Sequence, residues 1–220
     1  MSPPVGATGI QTCDGDESGT IARRFRVGAN VGGFSSTVKF PGHDTDIRQL
    51  STTATLDVRA SERTTVQAAL GAVVDGRLEV DGTIHDVRPG WLVAAAIAQR
   101  LVDAHGSTPF VLVSGSLGFG RAHTRERVAG ASDVALTSVD LRGGVTVGWT
   151  LLDVLSPYLA ARVFGGPVAW TLRGESVVGG DRYHYQLGGG LSVHTGRFDA
   201  YVEVAPLGEK RASAGLGVAF

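Results

Sequence analysis

The polar residues able to do chemistry in this sequence are strung along one face of alternating segments. From Tyr183 to His194, the residues His184, Gln186, Gly188, Gly190, Ser192 and His194 share a face. Tyr183, Tyr185, Leu187, Gly189, Leu191 and Val193 occupy the other. The next stretch sets Asp199, Tyr201 and Glu203 against Phe198, Ala200, Val202 and Val204. His184 and Glu203 therefore fall on neighbouring polar faces, where a histidine–carboxylate pair could move a proton. So could any such pair on crowded polar faces, and the bland reading is a structural ion-pair network. His43, His85 and His123 lie in the longer connections between alternating segments but lack metal-ligand spacing. The lone Cys13 excludes an internal disulfide and a cysteine metal cluster. No glycine loop follows a strand and opens a helix, so no nucleotide site is read. No enzyme, cofactor or metal is expected.

Period two over about ten residues is the signature of a strand, and it recurs along the chain. The first strand runs from Ile21 to Gly33, with Phe25, Val27, Ala29 and Val31 on one face and Arg24 and Arg26 on the other. The second sets Leu50, Ala54, Leu56 and Val58 against Asp57 and Arg59. The third carries Val66, Leu70 and Val74, and the fourth Trp91, Val93, Ile97 and Leu101, with Arg100 opposite. The Ala94-Ala95-Ala96 run would also suit a helix. Strand five holds Val111, Val113, Leu117 and Phe119, although Phe110 and Leu112 sit on its polar face. Strand six sets Val139, Leu141, Val145, Val147 and Trp149 against Asp140 and Arg142.

In strand seven Arg162 decides the register. Were the apolar faces turned to lipid, Arg162 among them at mid-depth would cost roughly 2–4 kcal/mol. Leu159, Ala161 and Val163 are therefore placed outward, and Gly165-Gly166-Pro167 is read as a bulge that swaps faces and sends Val168 and Trp170 outward. Two further strands follow Tyr183 and Phe198, and a last one sets Ala212, Ala214, Leu216, Val218 and Phe220 against Arg211 and Ser213. That makes about ten strands over residues 20–220, after a patternless tail at 1–19.

Composition fits this reading. Glycine is abundant at 32 residues, and charged residues make up 19%, below the roughly 25% of soluble domains. Net charge is −1, so no pull toward nucleic acid is expected. No apolar run reaches the length of a membrane helix, but barrel strands need only about ten alternating residues. The connections read as short near 61, 105, 154 and 195 and long near 41, 83, 126 and 176. Aromatics lie near strand ends: Trp91, Phe119, Trp170, Tyr183 and Tyr185 toward the long-loop rim, Phe25, Trp149, Phe198 and Phe220 toward the other. Two such belts mark two membrane interfaces.

The closing stretch Ala212-Ser213-Ala214-Gly215-Leu216-Gly217-Val218-Ala219-Phe220 resembles the ending of outer-membrane β-barrel proteins of diderm bacteria. The resemblance implies a closed, all-β, antiparallel up-and-down transmembrane barrel in the outer membrane. It also implies that Phe220 is read by the barrel-assembly machinery. Met1 to Thr20 has neither a basic start nor an apolar core, so export implies a signal already removed or a start codon placed elsewhere. The expected lumen carries Arg24, Arg26, Asp57, Arg59, Arg100, Asp140, Arg142, Arg162, His184, Gln186, Asp199, Glu203 and Arg211. Ten strands leave it narrow. The expected protein is a lipid-embedded monomer with a plugged lumen, structural or a passive small-solute channel. A soluble or periplasmic barrel would reverse the faces and bind a small apolar ligand.

Overall fold

The computed structural model describes residues 24–103, 108–172 and 174–220; the expected tail lies outside them. All twelve elements are strands: β1 (Phe25–Phe40), β2 (His43–Arg59), β3 (Thr64–Val80), β4 (Thr83–Val102), β5 (Phe110–Glu126), β6 (Val134–Gly148), β7 (Leu155–Gly165), β8 (Pro167–Leu172), β9 (Glu175–Asp181), β10 (Tyr185–Thr195), β11 (Phe198–Gly208) and β12 (Lys210–Ala219). Every pairing is antiparallel, and β12 pairs with β1 to close the sheet.

The wall is a ten-stranded barrel, because two staves are each built from two strands. β7 and β8 run in one register along β6, through Leu141↔Gly165 and Ser138↔Val168. β9 and β10 form the next stave. β10 lies between β7 and β11, whereas β9 pairs with β8 and, through Val38↔Asp181, with β1. The β11–β12 hairpin turns back at Glu209, and β9 passes over it to reach β1. Ten staves therefore enclose the lower storey, where the chain ends at Phe220, and eight (β1–β6, β8 and β9) enclose the upper.

The two storeys have opposite solvents. In the lower one, Val27, Leu56, Leu70, Leu141, Leu159, Val202 and Leu216 point outward, and Leu141 and Leu159 are 63% and 67% exposed. Charged Arg26, Asp57, Asp140, Arg142 and Glu203 are buried inside. An exposed apolar band around a polar interior suits lipid, not water. In this storey the faces are opposite to those of a soluble barrel with an apolar interior. In the upper storey Lys39, Asp44, Asp46, Arg48, Glu79, Arg88 and His123 face out. Inside it Val38, Phe40, Ile47, Val73, Leu78, Val80, Val87, Leu92, Ala122, Leu136, Val168 and Trp170 form one apolar core. That is the pattern of a barrel standing in water.

The expected long loops are thus strand. β1–β2 turns at Pro41-Gly42 and β3–β4 at Asp81-Gly82. Asp81 (φ 49) and Gly82 (φ 77) give both central residues positive φ, the geometry whose twist matches a tight hairpin. Among the described upper connections only 127–133 is a longer loop. The segment 91–101 is strand in β4, not helix.

Bulges collect where the storeys meet. Register slips between Leu50 and Ser51 on β2, leaving Val74 unpaired on β3. It slips again at Pro89-Gly90 on β4 and opposite Gly188 near Pro206 on β11. A bulge adds one residue and re-aims the side chains beyond it, so β3 and β4 change phase where the outside solvent changes. The expected bulge at Gly165-Gly166-Pro167 does not occur. The register is unbroken there, so Arg162, Phe164, Val168 and Trp170 all face inward. The face change lies instead between β9 and β10, at Arg182–His184.

Candidate functional site

The lower lumen holds ion-pair groups positioned by strand alternation. At the lower end, Arg26 on β1 donates Nη1 to Asp57 on β2 at 2.7 Å and Nε to Asp199 on β11 at 2.6 Å. Gln67 on β3 donates to the other Asp57 oxygen at 2.6 Å. Gly217 on β12 faces this guanidinium so closely that a Cβ there would collide with Arg26.

Higher up, Arg162 on β7 clamps Glu203 on β11 with two bonds of 2.7 Å, and Tyr158 donates to Glu203 at 3.1 Å. Arg142 on β6 reaches Asp140, two residues along the same face, at 2.8 Å, and Glu209 at 2.8 and 3.0 Å. The Phe164 ring lies 4.4 Å from its guanidinium carbon. Gln186, fully buried, joins the groups: its Oε1 accepts from Arg162 at 2.9 Å, and its Nε2 donates to Glu209 Oε1 at 3.2 Å. A further bond from Tyr201 to Asn30, at 3.0 Å, braces β11 against β1. Bidentate arginine–carboxylate bonds are the geometry that makes buried charge tolerable.

Most of the expected lumen residues meet here: Arg26, Asp57, Asp140, Arg142, Arg162, Gln186, Asp199, Glu203 and Arg211. Arg59 and Arg100 are half-buried at the lower mouth, where Arg100 has Asp103 at 3.7 Å. Two expectations need correcting. Arg24 is exposed at the lower rim, because it precedes the first strand and joins the ladder only as a carbonyl accepting from Arg59. His184 is exposed outside the wall, its Nδ1 3.3 Å from the Phe164 carbonyl, because it lies in the 182–184 connection between β9 and β10, where the inward face changes phase. It cannot work with Glu203.

Sequence reasoning missed Glu209, which read as part of a turn. Its spacing of two from Arg211 was the available signal. Among the aromatics, Trp91, Trp149, Tyr183, Tyr185, Phe198 and Phe220 point outward and are exposed, and Phe119 packs on Trp91 with ring centroids 5.3 Å apart. Trp170 is 1% exposed, donates to Thr124 at 2.8 Å and sits in the upper core. It is no girdle residue.

The remaining histidines are scattered over the upper storey. His43 Nδ1 lies 2.7 Å from Asp81 across two exposed hairpin tips, and His123 is exposed on the outer face. His85 is buried against Trp170, edge to face at 5.0 Å, and its Nδ1 has no partner among the described residues. Among those residues no group of His, Cys, Asp or Glu is arranged to hold a metal.

Burial holds the His85 pKa below its ordinary value. The folded protein therefore takes up this proton less readily than the unfolded chain. Its neutral form is fully accommodated above about pH 6.5, and stability falls as pH drops below that value toward the lowered pKa. Protease digestion of the upper storey at stepped pH is expected to accelerate below this point, and to do so less in His85→Phe. Equal acceleration in both would remove His85 as the cause. Outside, hydrogen bonds from Arg127 hold the Asp86 carboxyl below the usual range.

No protein-family model matches the sequence, and no curated protein matches it. Solved structures do. The translocator domain of the autotransporter NalP from Neisseria meningitidis is 16% identical, with a TM-score of 0.51 over 93% of this chain and 90% of that one. The outer membrane protease OmpT from Escherichia coli is 8% identical, with a TM-score of 0.52 over 90% of this chain and 97% of that one. At such identities the likeness is one of fold. The chain has the fold of a bacterial outer-membrane β-barrel.

Proposed function

We propose that this chain is an integral outer-membrane protein whose lumen is sealed, so that it serves as a structural barrel and carries a water-exposed upper storey, rather than conducting solutes. The observation that supports this is the upper core: Trp170, Ile47, Leu78, Leu92 and Leu136 are almost fully buried across an eight-stranded section. Eight strands leave an interior just wide enough for side chains to fill. Below that lid, the arginine–carboxylate network ties β1, β2, β6, β7, β10 and β11 together. Phe220, outward and 58% exposed beside the closing β12–β1 seam, fits a role as the residue read by the barrel-assembly machinery. The protein is a monomer in lipid on this reading.

In planar bilayers the full chain is expected to give no discrete conductance steps, and in SDS gels to migrate differently before and after boiling. Reproducible single-channel steps would defeat the sealed lumen. Extraction into plain buffer as a monomer would defeat membrane residence.

The protease among the similar structures lends its activity no support here. His43 meets Asp81 only at exposed hairpin tips, and His184 and Glu203 are on opposite sides of the wall.

A further inference from the structure

A cationic groove lies on the outer face where the apolar band meets the polar storey. Strand register builds it. Lys210 on β12 pairs with Ser35 on β1, Ser35 with Arg48 on β2, and Arg48 with Arg77 on β3. The row therefore carries two directly opposed arginines and a lysine around a serine too small to fill the space between them. The groove measures about 900 Å³, and its lower side is apolar, formed by Leu50, Val204, Pro206 and Ala212.

Charge here is unbalanced. Arg77 has Glu79 at 3.0 Å and Asp86 opposite it on β4, and Asp86 is also bonded by Arg127 at 2.6 Å, so the excess charge falls on Arg48 and Lys210. Asp75 also borders the groove. Among the described residues neither Arg48 nor Lys210 has an ion-pair partner, and the Arg77 Nε is buried with no hydrogen-bond acceptor. Like charges directly opposite across a ladder repel, and of this pair Arg77 is offset by Glu79 whereas Arg48 is not. Further along the same row Arg125 is satisfied by Asp133 at 2.7 Å, so the imbalance is local to the groove.

We propose that this groove binds the phosphate-bearing headgroup of a membrane lipid, with the acyl chains lying down the apolar band. A soluble anion would be served by the cations alone. An amphiphile uses both the cations and the apolar side beneath them, and the groove stands at the depth where a headgroup meets its chains. The proposal rests on membrane residence, which the extraction experiment above tests separately.

The probe is lipid A added to the detergent-solubilised full chain, with lipid A stripped of its phosphates as control, read by native mass spectrometry. One bound lipid A per chain is expected, weakened at least ten-fold in the Arg48→Glu/Lys210→Glu variant and clearly reduced in the milder Arg48→Gln. Arg125→Glu should bind like the parent. Folding of each variant is checked by its heat-dependent gel shift. The proposal is overturned if the double variant binds as well as the parent, or if the stripped lipid binds equally. It is likewise overturned if inorganic phosphate displaces lipid A at equal concentration, which would mark a site for a free anion.

Discussion

Arg142→Met is expected to cost the barrel about 3–5 kcal/mol, the range for breaking a buried ion pair by removing one partner. The reason is what stays behind. Asp140 and Glu209 are 2% exposed each, and both depend on this guanidinium, Glu209 through two bonds. Without it, two buried carboxylates lose the cation to which both are bonded. The check is the urea midpoint of the heat-dependent gel shift in lipid vesicles. A triple variant carrying Asp140→Asn and Glu209→Gln as well should recover most of the loss, because neutral amides no longer need the cation. A contrast is available on the surface: Arg182 and Asp44 are 3.0 Å apart but about half exposed. Removing Arg182 should cost less than about 1 kcal/mol. If Arg142→Met also falls below that, the lumen is hydrated and the network is not structural.

The lower storey was legible in the sequence because one rule covers it. Apolar outside and charged inside gives a strict period of two, and Arg162 fixes the phase of its strand on energetic grounds. Even the awkward Phe110 and Leu112 have a place, since both face inward and pack with Tyr158 and Ala160. The upper storey follows the opposite rule. From Val38 to Ile47 the apolar residues Val38, Phe40 and Ile47 point in, while Lys39, Asp44, Asp46 and Arg48 point out. Read as lipid-facing strand this looks like a polar loop, and so the segments near 41, 83 and 176 read as connections. The same assumption misplaced Trp170. An aromatic near the end of an outward-facing run resembles a girdle residue, and only the unbroken register with β6 shows that it continues the inward face of Arg162 and Phe164. Bulges were invisible for a related reason. They are set by which strand lies alongside, and β9 crossing above the β11–β12 hairpin is a long-range choice that no local spacing records.

Trp170→Ala is the second change expected to be severe, at about 3–5 kcal/mol for a large aromatic removed from a packed core. The ring lies 5.7 Å from Phe40 and 5.0 Å from His85, and its Nε1 donates to Thr124, which is 0% exposed. Alanine would leave a cavity and leave the buried Thr124 hydroxyl without its donor. The two storeys have separate interiors, so the loss should stay above the Glu209 turn. Limited proteolysis of the variant in vesicles is therefore expected to cut within β3–β4 and β8–β9, while the lipid-embedded lower staves remain protected and the heat-dependent gel shift persists. Because the apolar core is also the proposed seal, the variant should be the first to show conductance, in brief noisy openings narrowed by the arginine network below. A variant that unfolds as one unit, losing its gel shift together with its protease resistance, would mean that the β9–β1 pairing couples the storeys. The apolar core would then be part of a single folding unit, not a lid on an independent membrane barrel.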